Sequence, residues 1–194
     1  MAENQIDITG GSNQIAPNAT EATQYIIGDS AIRLAHLLRL HKEIGNKVSE
    51  QTKEAVKYYQ TKLKGTKNVE EKLTDGGFKP SAIAKAKRLK QFWAQEAFRT
   101  SNHPGIQEEI FQLYSRIVQE FDVYIMPLVE DEAPLRDILR ELHEKIVTPI
   151  MTVYQMNGYR DDELRYSYDH IYGMIYYLTG NCHINWKDYD NDNV

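Results

Sequence analysis

The chain has 194 residues, a formal net charge of −5 and 41 % hydrophobic against 26 % charged residues. That balance excludes a disordered or fibrous chain and suits one domain with an appendage, or two small domains. The single cysteine, Cys182, excludes an internal disulfide framework and any metal site built on two thiolates of one chain.

No run approaches the ~18 apolar residues of a membrane span. The polar start MAENQIDITGGSNQ lacks the basic and apolar pattern of a secretory signal. A cytoplasmic protein with no membrane contact is expected. Charge is unevenly spread: residues 53–99 carry 12 Lys and Arg against 5 Asp and Glu, and the rest of the chain carries 11 against 23. Such a basic island is either the solvated face of helices or a contact for nucleic acid or an acidic protein. Lys85, Lys87, Arg88 and Lys90 are its densest stretch, and nucleic-acid contact through them stays open.

Residues 1–28 read as an extended leader. Ile6 and Ile8 alternate with Asp7 and Thr9 at strand period, a Gly-Gly turn follows, and Ile15 precedes Pro17 in a poorly helical stretch. One short strand is not stable alone. The leader is therefore expected to dock by main-chain pairing on a partner or a second copy, with Ile6, Ile8 and Ile15 setting the register.

Helical signals follow. Asp29 and Ser30 cap a segment to Gly45 that is apolar nearly all round. Ser49 to Lys64 predicts a second helix with Val56, Tyr59 and Leu63 on one face, and Asn68 to Leu73 a short helical turn closed by Gly76 and Gly77. Pro80 opens a long helix to about Thr100, striped by Ile83, Ala86, Leu89, Trp93 and Ala97. Residues 101–105 stop and restart the chain, and Ile106 to Phe121 marks the next helix, whose continuation Pro127 must bend or break. Leu135 to Val153 repeats at helical spacing, with Pro149 expected to kink it. Asp161 and Asp162 are expected to start the last helix, and Gly180 to end it as the residue just past the C-cap. The fold class is all-α: an irregular helical domain of roughly six to seven helices with a short extended leader. Its expected divisions are a leader (1–28), an N-terminal helical part (29–78), a C-terminal helical domain (79–188) and a tail (189–194).

Catalytic motifs are sparse. The glycine pairs fit no phosphate loop or dinucleotide fingerprint, and no serine sits in a nucleophile elbow. The acidic pairs Glu108–Glu109 and Asp161–Asp162 are read as first-turn residues favoured by the helix dipole. His170, Cys182 and His183 would make a metal site only by converging with a fourth ligand. The expectation is instead a buried Cys182 beside a His183 that caps the preceding helix. No enzyme activity, cofactor or metal is expected.

Arg165 and His170 stand five apart on the last predicted helix. The pair resembles the R-x4-6-H motif of the HEPN ribonucleases, with Tyr166 where that family usually has a small polar residue. That resemblance implies the enzyme alternative, a metal-independent ribonuclease in which Arg165 holds phosphate and His170 assists 2′-hydroxyl attack.

The most distinctive stretch is IYGMIYYLTGNCHINW at 171–186, an apolar helix followed by an extended exit with Ile184 and Trp186 on one side. It resembles the terminal signature of the C-terminal domains of bacterial ABC-three-component conflict systems. HPGIQEEI at 103–110, YIMP at 124–127 and IVTPI at 146–150 are similar to that domain's earlier helices. The leader, ITGGSNQIAPNATEA at 8–22, is similar to leaders of bacterial defence effectors. The resemblance implies an anti-phage defence complex in which the chain links, through a middle component, to an ABC ATPase. No obvious effector domain precedes residue 80, so an adaptor is expected, with self-association left open. Thirteen tyrosines also point to contact surface, because Tyr is favoured at interfaces. The residues expected to bind partners are drawn from Trp93, Tyr172, Met174, Tyr176, Tyr177 and Trp186, with Ile171 and Ile184 beside them; some of these must be core, and the sequence does not divide them. Ile6, Ile8 and Ile15 of the leader are expected to bind as well.

Overall fold

The computed structural model describes residues 50–63, 67–157 and 166–188. The leader, the expected helix at 29–45, Arg165 and the Asp161–Asp162 pair lie outside the described residues. Those described are all-α, with no strand among them. In chain order the helices are α1 (Glu50–Gln60), α2 (Val69–Asp75), α3 (Pro80–Arg99), α4 (Pro104–Tyr124), α5 (Met126–Glu130), α6 (Leu135–Glu141), α7 (Thr148–Asn157) and α8 (Tyr168–Gly180). A π-helical turn, Leu142–Val147, joins α6 to α7 without a break.

Local chemistry explains most boundaries. Asn68 accepts from the N–H groups of Glu70 and Glu71, and the Glu71 side chain accepts from the Asn68 N–H, closing a reciprocal cap on α2. Pro80 and Pro104 stand in the first turns of α3 and α4, where a missing N–H costs nothing. Pro127 separates α4 from α5 as expected. Pro149 acts differently from a simple kink. It can donate no hydrogen bond to the carbonyl four residues back, and the chain widens just ahead of it, so that the Thr148 N–H reaches back five residues to His143. The strain is spread over the π-helical turn.

The start of α8 corrects the sequence reading. Tyr166 and Ser167 are not helical. Ser167, extended at φ −111° and ψ 170°, is the N-cap, and His170 stands where a Glu or Gln usually completes the cap. The Ser167 N–H donates to His170 Nδ1 at 3.0 Å, so the ring is held as an acceptor. The end of α8 is corrected as well. Gly180 is the last helical residue, and Cys182 takes the left-handed conformation at φ 67°. The Cys182 N–H donates to Thr179 O and the His183 N–H to Leu178 O, the paired bonds of a Schellman stop. Gly180 is small for another reason: a Cβ there would lie 2.5 Å from Lys90 Nζ and 2.7 Å from its Cε.

The core is built on the packing of α8 against α3. At Gly173 the two backbones approach so closely that a Cβ would stand 2.8 Å from both Leu89 O and Trp93 Cβ. Trp93, 1 % exposed, donates its indole N–H to Tyr114 OH at 2.6 Å, which ties α3 to α4. Tyr114 stacks on Tyr177, tying α4 to α8. After α8 the chain folds back, and Trp186 enters between Phe78 and Phe121, its ring edge-on to both. Its indole N–H donates to Thr179 Oγ1 at 3.1 Å, and Thr179 donates to Ile175 O. Gly76 leaves room for it: a Cβ there would meet Trp186 Cβ at 2.6 Å. Losing such a buried aromatic costs about 3–5 kcal/mol.

Two outcomes test this account. Gly173→Ala is expected to lower stability in urea by about 1–3 kcal/mol, whereas Gly180→Ala costs less, because Lys90 is flexible at its far end. Equal effects would contradict the seam. Burial lowers the pKa of His170, opposed in part by Glu96 and Asp169. The folded state therefore binds fewer protons, and stability is full above about pH 6.5 and is lost as pH falls towards the folded value. His170→Gln keeps an acceptor in the cap and removes the proton. Its urea midpoint is expected to vary less between about pH 7.5 and pH 5 than that of the parent chain. His183, also lowered by burial, leaves some slope; an unchanged slope on His170→Gln would overturn the assignment.

Candidate partner-binding surface

Apart from Tyr58, Phe98 and Tyr124, which are exposed elsewhere, most aromatic residues belong either to a closed core or to an outer strip. Trp93, Met174 and Trp186 are 1 %, 0 % and 3 % exposed. They belong to the core, which corrects their expected place at a contact surface: the α3–α8 seam and the returning exit cover them. Ile171 and Ile184 are buried with them. Tyr176 is nearly closed, and burial, with Tyr172 adding to it, raises its phenol to about 12. Tyr177 is half-buried against Tyr114. Ile6, Ile8 and Ile15 lie outside the described residues.

The outer strip runs around the first turns of α8. Tyr168, Tyr172 and Tyr176 are four apart, so they share one helical face. His143, carried by the π-helical turn, stacks on Tyr168 at 5.8 Å and on Tyr172 at 6.4 Å, and its Nδ1 lies 3.0 Å from Tyr172 OH. Tyr172 in turn stacks on Tyr176. On the α3 side, Phe92 packs edge-on to His170 at 4.8 Å. Tyr168 is 40 % and Phe92 37 % exposed, and His143 is exposed. Of the expected contact residues, Tyr172 alone stands squarely in this strip. Tyr168 was legible from the same four-residue spacing. His143 and Phe92 were not, because they join the strip only through tertiary packing.

Beneath the strip lies a buried polar group. Glu109, 4 % exposed, accepts from Tyr154 OH, and burial, together with the nearby Glu109 charge, raises the phenols of Tyr154 and Tyr166 well above their ordinary value. These phenols are therefore neutral, and the bond from Tyr154 to Glu109 fixes α7 against α4. Glu109 is thus a core acceptor; because the helix starts at Pro104, it and Glu108 stand in the second turn and not in the first as expected. Glu120, half-buried, also has its pKa raised by burial, while Arg116 opposes the shift from 2.8 Å.

The other candidate residues are scattered. His170 lies in the first turn of α8 and Cys182 and His183 follow its end; the helix from His170 to Gly180 alone separates them by about 15 Å, so they cannot share a metal. Among the described residues no group of three or more His, Cys, Asp or Glu could hold one. Cys182 is half-exposed, not buried. The ring of His183 lies against Tyr58 and Tyr59. Asn181, whose amide donates to Tyr59 O and Gln60 O, caps α1, while His183 closes the helix before it through its backbone N–H to Leu178 O. Lys85, Lys87 and Arg88 are exposed on the outer side of α3, with Lys87 paired to Glu70 at 2.5 Å. Lys90 points away from them, over Gly180. The four basic residues therefore do not form one face. Among the described residues no helix is long and apolar enough to cross a membrane.

No curated protein and no solved structure matches the chain. A family model does, that of C-terminal domain 9 of the ABC-three component (ABC-3C) systems, over residues 68–186. Its limits fall at two closures of the fold, the Asn68 cap of α2 and Trp186, which closes back on Gly76 of the α2 stop. The chain therefore belongs to the C-terminal domain 9 family of the ABC-three-component conflict systems.

Proposed function

We propose that this chain is a non-enzymatic adaptor of a bacterial anti-phage defence complex. In this reading residues 68–186 engage the other components in the cytoplasm, a middle component and through it an ABC ATPase, and hold the preceding segment in the assembly. The family supports membership in a system of several components. The observation that carries the adaptor reading is the exposed aromatic strip of Phe92, His143, Tyr168 and Tyr172, set on a rigid helical seam. Tyr and Phe supply large contact area at low entropic cost, and rigid aromatic anchors dominate interface energies. The leader adds a second contact through Ile6, Ile8 and Ile15 by strand addition.

The test is co-purification of the full chain with the ABC ATPase and middle component of its own system. The double substitution Phe92→Ser, Tyr168→Ser is expected to weaken assembly by about 30-fold or more, the effect of losing one hot spot, with the helical spectrum and melting midpoint little changed. Unaltered assembly by a folded variant would overturn the role of the strip. Removing residues 1–20 is expected to leave residues 68–186 folded and to weaken assembly as well. Undiminished affinity would show that the leader is not a contact.

A further inference from the structure

Three ammonium groups from three elements meet at the exit from α8. Lys72 of α2 is 3 % exposed; its Nζ donates to Asn185 Oδ1 at 2.7 Å and to Ile184 O at 3.4 Å, and the Cys182 thiol lies against it. Lys90 of α3 lies over Gly180 and is half-buried. Lys62, just past α1, is held nearby because the N–H of its neighbour Leu63 donates to Asn181 O at 3.0 Å. Burial depresses the pKa of both Lys72 and Lys90; Cys182 opposes the shift in each case, and the charge of Lys62 adds to it.

Among the described residues no carboxylate pairs with Lys72 or Lys90, whereas Lys67 and Lys87 are paired. The acceptors named for Lys72 are a carbonyl and an amide oxygen, both neutral. The carbonyl end of α8 carries only about half a negative charge, and its last carbonyls are already engaged by the Cys182 and His183 N–H groups. That end offsets part of one ammonium and leaves a surplus of about two positive charges. Lys62 is exposed, and Lys90, Cys182 and Asn181 are half-exposed, so an ion from solvent can reach them. A compact dianion with several acceptor oxygens suits such a group, because ammonium donors to oxyanions make strong, charge-assisted hydrogen bonds.

We propose that the exit from α8 is a binding site for a phosphate group, held by Lys62 and Lys90 at its mouth with Lys72 behind them. The site is separate from the aromatic strip, which lies at the other end of α8.

The experiment is a thermal melt and a calorimetric titration of the full chain with sodium phosphate, with sodium chloride at matched ionic strength as the control and with a nucleoside diphosphate as a second arm. Phosphate is expected to raise the melting midpoint beyond the chloride control. Lys90→Met and Lys62→Met are each expected to weaken phosphate binding about tenfold or more. Without phosphate, Lys90→Met is expected to melt no lower than the parent chain, because it removes like-charge repulsion. Binding of inorganic phosphate alone assigns a free ion. Binding of the nucleotide only, lost in both variants, assigns a phosphate group carried on a larger molecule. If neither ligand stabilises the chain beyond chloride, or if both variants respond like the parent, the proposal is wrong. Lys62 is exposed, so Lys62→Met keeps the test open should Lys90→Met fail to fold.

Discussion

The contact between α3 and α8 at Gly173 is the constraint on which the rest of the structure depends. A glycine there lets backbone meet backbone, and this brings Trp93 into the centre of the molecule. A buried indole needs a partner for its N–H, and Tyr114 provides it from α4. Tyr114 then stacks on Tyr177, so one close approach orders three helices. The returning exit repeats the device at the other end of α8, where Thr179 satisfies the Trp186 indole and Gly76 makes room for the ring. Small residues at two places thus admit two tryptophans.

With the large aromatics committed to the core, the surface chemistry is left to residues of intermediate size. Tyr168 and Tyr172 ride on the rigid α8, and the π-helical turn ahead of Pro149 brings His143 into their stack. A helical backbone holds such side chains more firmly than a loop would. This pre-organisation lowers the entropic cost of capture. The turn that relieves Pro149 thereby also builds the surface, one physical cause serving stability and recognition.

Much of this was legible in the sequence where local rules act alone. Pro80, Pro104 and Asn68 mark helix starts by chemistry that needs no neighbours, and the stripe from Ile83 to Ala97 marks a buried face. The misreadings arose where a residue is chosen by a distant contact. Gly180 has the signature of a left-handed stop, yet it is small because Lys90 of α3 crosses it, and Cys182 takes the left-handed position against its intrinsic preference. Asn181 caps α1, which lies more than a hundred residues away in sequence, and the Ser167 cap was masked by a His where a Glu is customary. Trp93, Met174 and Trp186 carry the composition of an interface, and only tertiary packing reveals them as core. The site was therefore legible at Tyr172 and in the spacing of Tyr168, and not at His143 or Phe92.

The central claim is that a closed α3–α8 unit presents the aromatic strip to the other components of the system. Hydrogen exchange read by mass spectrometry, on the chain alone and in the assembled complex, addresses it most directly. The account expects added protection on assembly in the π-helical turn 142–147 and in the first turns of α8. The centre of the α3–α8 seam should be slow to exchange in both states. Assembly that leaves those segments unchanged, or a seam that exchanges freely in the isolated chain, would contradict it.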